Sequence, residues 1–148
     1  MKLKIKIPEG KTYLKPFYAT EGAACFDLVA DIDERIMLQP MQFVSISTGL
    51  TMEIPSGYFG DIRPRSGMGF KNQVMIINSP ASIDEDFRGI VHVGLFNLGE
   101  QVFDINLNAN MLLLKECKAL LQEAPQQGRV VLVGSKNVSA PGLGASAY

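Results

Sequence analysis

Two cysteines, one histidine and almost no net charge are all that this 148-residue chain offers toward redox, zinc or polyanion chemistry. Cys25 and Cys117 are too few and too far apart in sequence for a disulfide scaffold or a zinc site, and read as reduced thiols of a cytosolic protein. His92 lies between Val91 and Val93 and reads as a strand side chain rather than a catalyst. With 14 basic against 15 acidic side chains the formal charge is −1, which gives no electrostatic case for a nucleic-acid or membrane partner. A small anionic ligand, handled locally, is compatible with it. No apolar run approaches the ~20 residues of a spanning helix, and the N-terminus lacks the continuous apolar stretch of a signal peptide. There are no internal repeats and no linker. The length fits one domain that buries about two-thirds of its unfolded surface.

What is present is a series of short apolar runs at about ten-residue spacing, broken by Gly, Pro, Asn and Ser. Leu3, Ile5 and Ile7 alternate with Lys2, Lys4 and Lys6, the pattern of a half-buried strand whose lysines discourage edge pairing. A second run, Ala23 to Ala30, contains one carboxylate, Asp27, whose bland reading is a solvent-facing strand residue. Ile36-Met-Leu38, Phe43-Val-Ser-Ile46 and Leu50 to Ile54 follow, with Thr48-Gly49 between the last two as turn material. Val74 to Ile77 and Ile90 to Phe96 make a strand and its return, and Val102 to Leu107 one more. Met111 to Glu123 is rich in helix formers yet follows an all-β pattern, and is read as a strand with a polar extension. No convincing helix precedes it. The expected fold is all-β, a jelly roll or sandwich. The β domain is placed at residues 1–127, and 128–148 form a Gly-, Ser- and Ala-rich tail.

Two stretches bear chemistry. Arg63-Pro-Arg-Ser-Gly-Met-Gly-Phe-Lys71 reads as a basic, Gly-rich loop: Arg65 can bind phosphate in bidentate fashion, Ser66 can donate a hydroxyl, and Gly67 lets backbone N–H groups approach an anion. An ordinary solvated turn is the competing reading. Ile83-Asp-Glu-Asp-Phe-Arg-Gly89 clusters three carboxylates at a hairpin, where one can orient and deprotonate a water. Only one short strand separates the two stretches, which places grip and acid close together. Phe87 fits against a sugar or base, or in the core. Asn78 has the donor and acceptor that read a pyrimidine edge, and is equally a good turn residue.

The order Ala19-Thr-Glu-Gly-Ala-Ala-Cys-Phe-Asp-Leu28, Pro64-Arg-Ser-Gly67 and Ile83-Asp-Glu-Asp-Phe-Arg-Gly89 resembles the first three of five motifs in the trimeric dUTP pyrophosphatases (dUTPases), in their bacterial and phage branch. The resemblance implies a jelly-roll homotrimer whose three sites each draw on more than one subunit. It implies dUTP as substrate, held through its triphosphate by Mg²⁺. Asp27 then matches the residue that orients metal-bound waters, Arg65, Ser66 and Gly67 the phosphate contacts, and Asp84 the carboxylate that positions the water attacking the α-phosphorus. Phe87 stands where the family usually has a Tyr on the deoxyribose. Asn78, Ser82 and Ile83 belong to a hairpin that reads uracil, largely with backbone groups.

Two motifs depart from the family. Its fourth, roughly Gly-Asp-Arg-Ile-Ala-Gln-Leu, aligns best three residues short of the ungapped count; this puts Asn110 rather than Leu113 at the phosphate-contacting Gln. Its fifth, an Arg followed by Gly-Gly-Phe-Gly-Ser, has only Ala140-Pro-Gly-Leu-Gly-Ala-Ser146 as counterpart, with Leu143 in place of the ring and no preceding Arg. One permitted encoding of Arg129 to Gly134 yields Gly-Gly-Phe-Gly-Trp two bases later, so the tail is readable as a frame-shifted lid, which the coding DNA decides. Three functions follow in order: dUTP hydrolysis with Asp84 as base; a dUTPase-fold trimer that binds dUTP or a protein without efficient turnover; and dCTP deamination.

Overall fold

The computed structural model describes residues 3–107 and the backbone of Asn110–Lys118. The tail expected at 128–148 lies outside the described residues. Ten strands form two four-stranded sheets and a two-stranded one. The first sheet runs β1 (Lys4–Lys6), β4 (Phe43–Glu53), β8 (Ile90–Asn97), β6 (Val74–Ile76). The second runs β2 (Phe26–Val29), β10 (Asn110–Lys118), β5 (Tyr58–Pro64), β7 (Ala81–Ile83), while β3 (Ile36–Leu38) pairs with β9 (Phe103–Ile105). All named pairings are antiparallel.

Alternation decides what is buried. Along β8, Val91, Val93, Leu95 and Asn97 are buried while Ile90 and His92 are exposed, and the His92 ring does no more than meet the Ile90 carbonyl at 3.0 Å. Ile46, Val93, Leu95 and Ile76 from the first sheet join Phe26, Leu28, Ile62 and Ile83 from the second in one core. On the edge strand β1, Lys4 and Lys6 are exposed and Lys4 pairs with Glu53, as the lysine alternation implies. The expected strand within Met111 to Glu123 is found at Asn110–Lys118.

Three expectations need correction. Thr48-Gly49 is not a turn but the middle of the eleven-residue β4, where the register shifts between Ser47 and Thr51. Gly49 adopts φ +65° there, and a Cβ on it would lie 2.7 Å from both Asp31 Oδ2 and Leu14 Cδ1, so only glycine fits the bulge. Thr48 donates to the Val91 carbonyl, which keeps the interruption paired. Second, the Gly-rich loop is a short helix, α1 (Ser66–Asn72), the single α-helix among the described residues. Two glycines disfavour a helix by about 0.8–1.0 kcal/mol each, but Met68 is buried, Asn72 Nδ2 donates to the Gly67 carbonyl and Gln73 closes the helix in the left-handed region. Tertiary anchoring overrides propensity. Third, the expected strand and its return do pair, β6 with β8, but residues 78–82 are not simply their turn: the chain crosses there to the second sheet through a cis Ser79–Pro80 bond and adds β7.

Candidate active site

Asp27 occupies the middle of β2. Its N–H donates to the Phe17 carbonyl on one side, and on the other its Cα is in register with Leu113, which in turn faces Arg63 on β5. The residue is 0% exposed, not solvent-facing, and among the described residues neither carboxylate oxygen has a hydrogen-bond partner. Arg65 is its charged neighbour there, with Nη1 3.3 Å from Oδ2. Burial pushes the Asp27 carboxyl above the ordinary carboxylate range, and the Arg65 guanidinium draws it part of the way back. A buried carboxylate left this way is costly. The arrangement makes chemical sense if a cation or its waters meet those two oxygens. Among the described residues no three His, Cys, Asp or Glu side chains converge to hold a metal directly.

Arg65 reaches Asp27 because it is the N-cap of α1, still extended (φ −67°, ψ 141°) after the β5 strand that ends at Pro64. Ser66 is exposed and Gly67 partly so, in the first helical turn, where backbone N–H groups have no intrahelical acceptor. Arg65, Ser66, Gly67 and Asp27 therefore come together as one basic half-site around a buried acid.

The acidic turn lies elsewhere. Asp84, Glu85, Asp86 and Phe87 follow β7, and all are exposed. Ile83 is buried opposite Gly60 on β5, Ser82 is exposed opposite Asp61, and Asn78 is exposed in the crossing. The Phe87 N–H donates to the Asp84 carbonyl to close the turn, and the Phe87 ring, 41% exposed, covers Gly89, where a Cβ would sit 2.8 Å from it. Phe87 is thus not a core residue. Glu85 is committed to structure: it accepts from the Gly57 N–H and the Ser56 hydroxyl, tying this turn to the one between β4 and β5. Asp84 has no such side-chain tie among the described residues and is the carboxylate left open to solvent.

Grip and acid are not close within one chain. Gly60 pairs with Ile83, so Asp84 comes level with Phe59 near the start of β5 while Arg65 follows its end. Asp27 and Asp84 stand three strands and about four residues apart, roughly 20 Å at 4.8 Å per strand and 3.3 Å per residue. One short strand separates the two stretches in sequence, but that strand lies in the first sheet and the chain returns along β7 antiparallel to β5, so the two stretches sit at opposite ends of the second sheet. Asn110 begins β10 in register with Val29, on the strand next to β5 and two residues before Leu112, which faces Pro64; only its backbone is described.

Two residues escaped the sequence reading. Asp61 is 1% exposed on β5 and accepts from Arg63 Nε (3.0 Å) and Nη2 (2.7 Å), while its Oδ1 has no partner. The signal was there as Asp-Ile-Arg, opposite charges at period two around a core isoleucine.

A family model described as dUTPase matches residues 13–137. The deoxyuridine 5'-triphosphate nucleotidohydrolase of Neorickettsia sennetsu is 38% identical over 125 residues, 82% of this chain and 84% of that protein. That of Chlamydia caviae is 51% identical over 90 residues, 61% of each, and that of Wolbachia pipientis 42% over 100 residues, 68% of this chain and 65% of that protein. The matched part of the chain thus spans less than two-thirds of the length of these last two relatives. Among solved structures, the dUTPase of phage phi11 of S. aureus superposes with a TM-score of 0.69 at 18% identity, covering 88% of this chain and 96% of that one. The dUTPase of Streptococcus mutans gives 0.67 at 21%, covering 81% and 98%. These likenesses fix the fold of the mostly β chain, and with the match over residues 13–137 this chain belongs to the dUTPase family.

Proposed function

We propose that the chain hydrolyses dUTP to dUMP and pyrophosphate at sites shared between the copies of a homotrimer. The observation that carries the reading is the buried Asp27 with two unpartnered oxygens beside Arg65. Such a carboxylate fits the outer waters of an Mg²⁺, which when bound neutralises charge on the triphosphate oxygens; a structure of the phage phi11 relative concerns a structural Mg(II) ion. Arg65, Ser66 and Gly67 grip phosphate oxygens from the same side, with Asn110 as a further contact. A second copy brings its Asp84. There Asp84 orients a water and takes its proton as the water oxygen bonds to the α-phosphorus; the bond from that phosphorus to the bridging oxygen breaks, and pyrophosphate leaves. The exposed Phe87 ring lies against the deoxyribose, and the backbone of Asn78, Ser82 and Ile83 reads the uracil edge.

The tail, residues 128–148, has Leu143 in place of a ring and no Arg directly before Ala140-Pro-Gly-Leu-Gly144, and losing one charge-stabilising donor lowers turnover by about 10²–10³. That feature favours a second reading, a dUTP-binding trimer with little turnover. Pyrophosphate release from dUTP, with and without Mg²⁺, tests the first: Mg²⁺-dependent release is expected. Binding of a non-hydrolysable dUTP analogue without release would leave the second reading standing, and ammonia release from dCTP would overturn both.

A further inference from the structure

The Asp61–Arg63 pair has no role in the chemistry above. It shares the face of the second sheet that carries Asp27: residues 61, 63 and 65 alternate with the core residue Ile62 and with Pro64, and Arg63 is in register with Asp27 through Leu113. Arg63 and Arg65 thus leave β5 on one side, about 7 Å apart at two residues' separation, with Asp27 beside them.

The pair does not look like a device for stability. A buried ion pair usually does no better than two well-packed apolar side chains, because desolvation offsets the attraction. Here the loss is larger, since Asp61 Oδ1 is buried without a partner among the described residues. What the pair achieves is orientation. Asp61 Oδ2 takes both Nε and Nη2, so it holds the guanidinium side-on and leaves the edge bearing Nη1 out of the pair. The Arg63 side chain is 22% exposed, so solvent reaches part of it. A guanidinium fixed by a buried carboxylate loses little freedom on meeting a second anion, which is the preorganisation that phosphate recognition exploits.

We infer that Arg63 is a second guanidinium of the phosphate-binding half-site, contacting the β- and γ-phosphates of a nucleoside triphosphate, and that Asp61 is its positioning residue. The inference rests on the dUTP-hydrolase reading and deepens it.

Calorimetric titration of the full chain with a non-hydrolysable dUTP analogue and, separately, with dUMP tests it. Arg63→Ala should weaken the triphosphate analogue by about tenfold to a hundredfold, the span of one charge-assisted hydrogen bond, and leave dUMP binding unchanged. Asp61→Asn should weaken the triphosphate by a smaller factor with dUMP again unaffected. Arg63→Lys should fail to restore it, because an ammonium cannot take the side-on pairing; this variant also serves if Arg63→Ala does not fold. Equal triphosphate binding by wild type and Arg63→Lys would overturn the inference. So would parallel loss of both ligands, which marks a purely structural role. If the wild type binds neither ligand, the hydrolase reading falls first.

Discussion

Asp27 and Asp84 are both carboxylates of recognised motifs, yet the fold treats them oppositely. Asp27 is sealed into a strand between Phe17 and Leu113 with an arginine beside it and two oxygens unpartnered; Asp84 stands in an exposed turn that its neighbour Glu85 holds in place. A buried carboxylate is suited to a fixed electrostatic task, such as meeting a hydrated cation, and poorly suited to taking a proton from a water that must be replaced each turnover. The exposed one can exchange water freely. Their separation teaches more: at roughly 20 Å the two do not meet within one chain, which is why the proposed site draws on two copies.

If this division is right, the largest effect falls on the exposed acid. Asp84→Asn should lower kcat for dUTP by about 10²–10⁴, the usual contribution of a positioned base, without a measurable change in melting temperature. Steady-state pyrophosphate release beside a thermal melt checks both halves, and full activity in the variant would remove Asp84 from the chemistry.

The buried acid should behave in reverse. Asp27→Asn removes a buried charge whose oxygens lack partners, and should raise unfolding free energy by about 1–3 kcal/mol at neutral pH while weakening Mg²⁺-dependent turnover. The sign follows from the raised folded-state pKa: the native chain binds this proton more tightly than the unfolded one, so the destabilisation is fully present above the folded pKa and disappears below the unfolded value. The variant's advantage in urea melts should therefore vanish below about pH 4. An advantage that persisted in acid would point to a cause other than the charge.

The smallest effect distinguishes two adjacent acids. Glu85→Ala breaks the tie to Gly57 and Ser56, and should cost about 0.5–1.5 kcal/mol of stability with kcat little changed. Loss of kcat equal to that of Asp84→Asn would mean that the turn acts as a unit.

Much of this was readable in the sequence. Period two in Lys2 to Ile7 and in Ile90 to Phe96 is the direct imprint of a half-buried strand, and the three motifs carried the family and the all-β fold. Gly49 and α1 were not readable for the same reason: the sequence shows glycine's intrinsic preference, whereas a bulge packed on Asp31 and a helix anchored by Met68 are decided by partners distant in sequence. The distance between grip and acid was hidden as well. Val74 to Ile77 reads as a short strand with its return at Ile90 to Phe96, and only the pairing of β7 with β5 beside that of β6 with β8 reveals that the chain changes sheets there. Likewise, the sequence alone does not pair Asp61 with Arg63, and burial sets them apart.

The claim that a site draws its grip and its acid from different copies is tested most directly by mixing two inactive variants. Arg65→Ala and Asp84→Asn chains, unfolded together and refolded as an equal mixture, should recover about a quarter of the wild-type activity, since half of the copies supply each intact residue and sites form across copies. Each variant refolded alone should stay inactive. If the mixture stays as inactive as its components while forming mixed trimers, both residues act from one chain, and the account of the shared site is wrong.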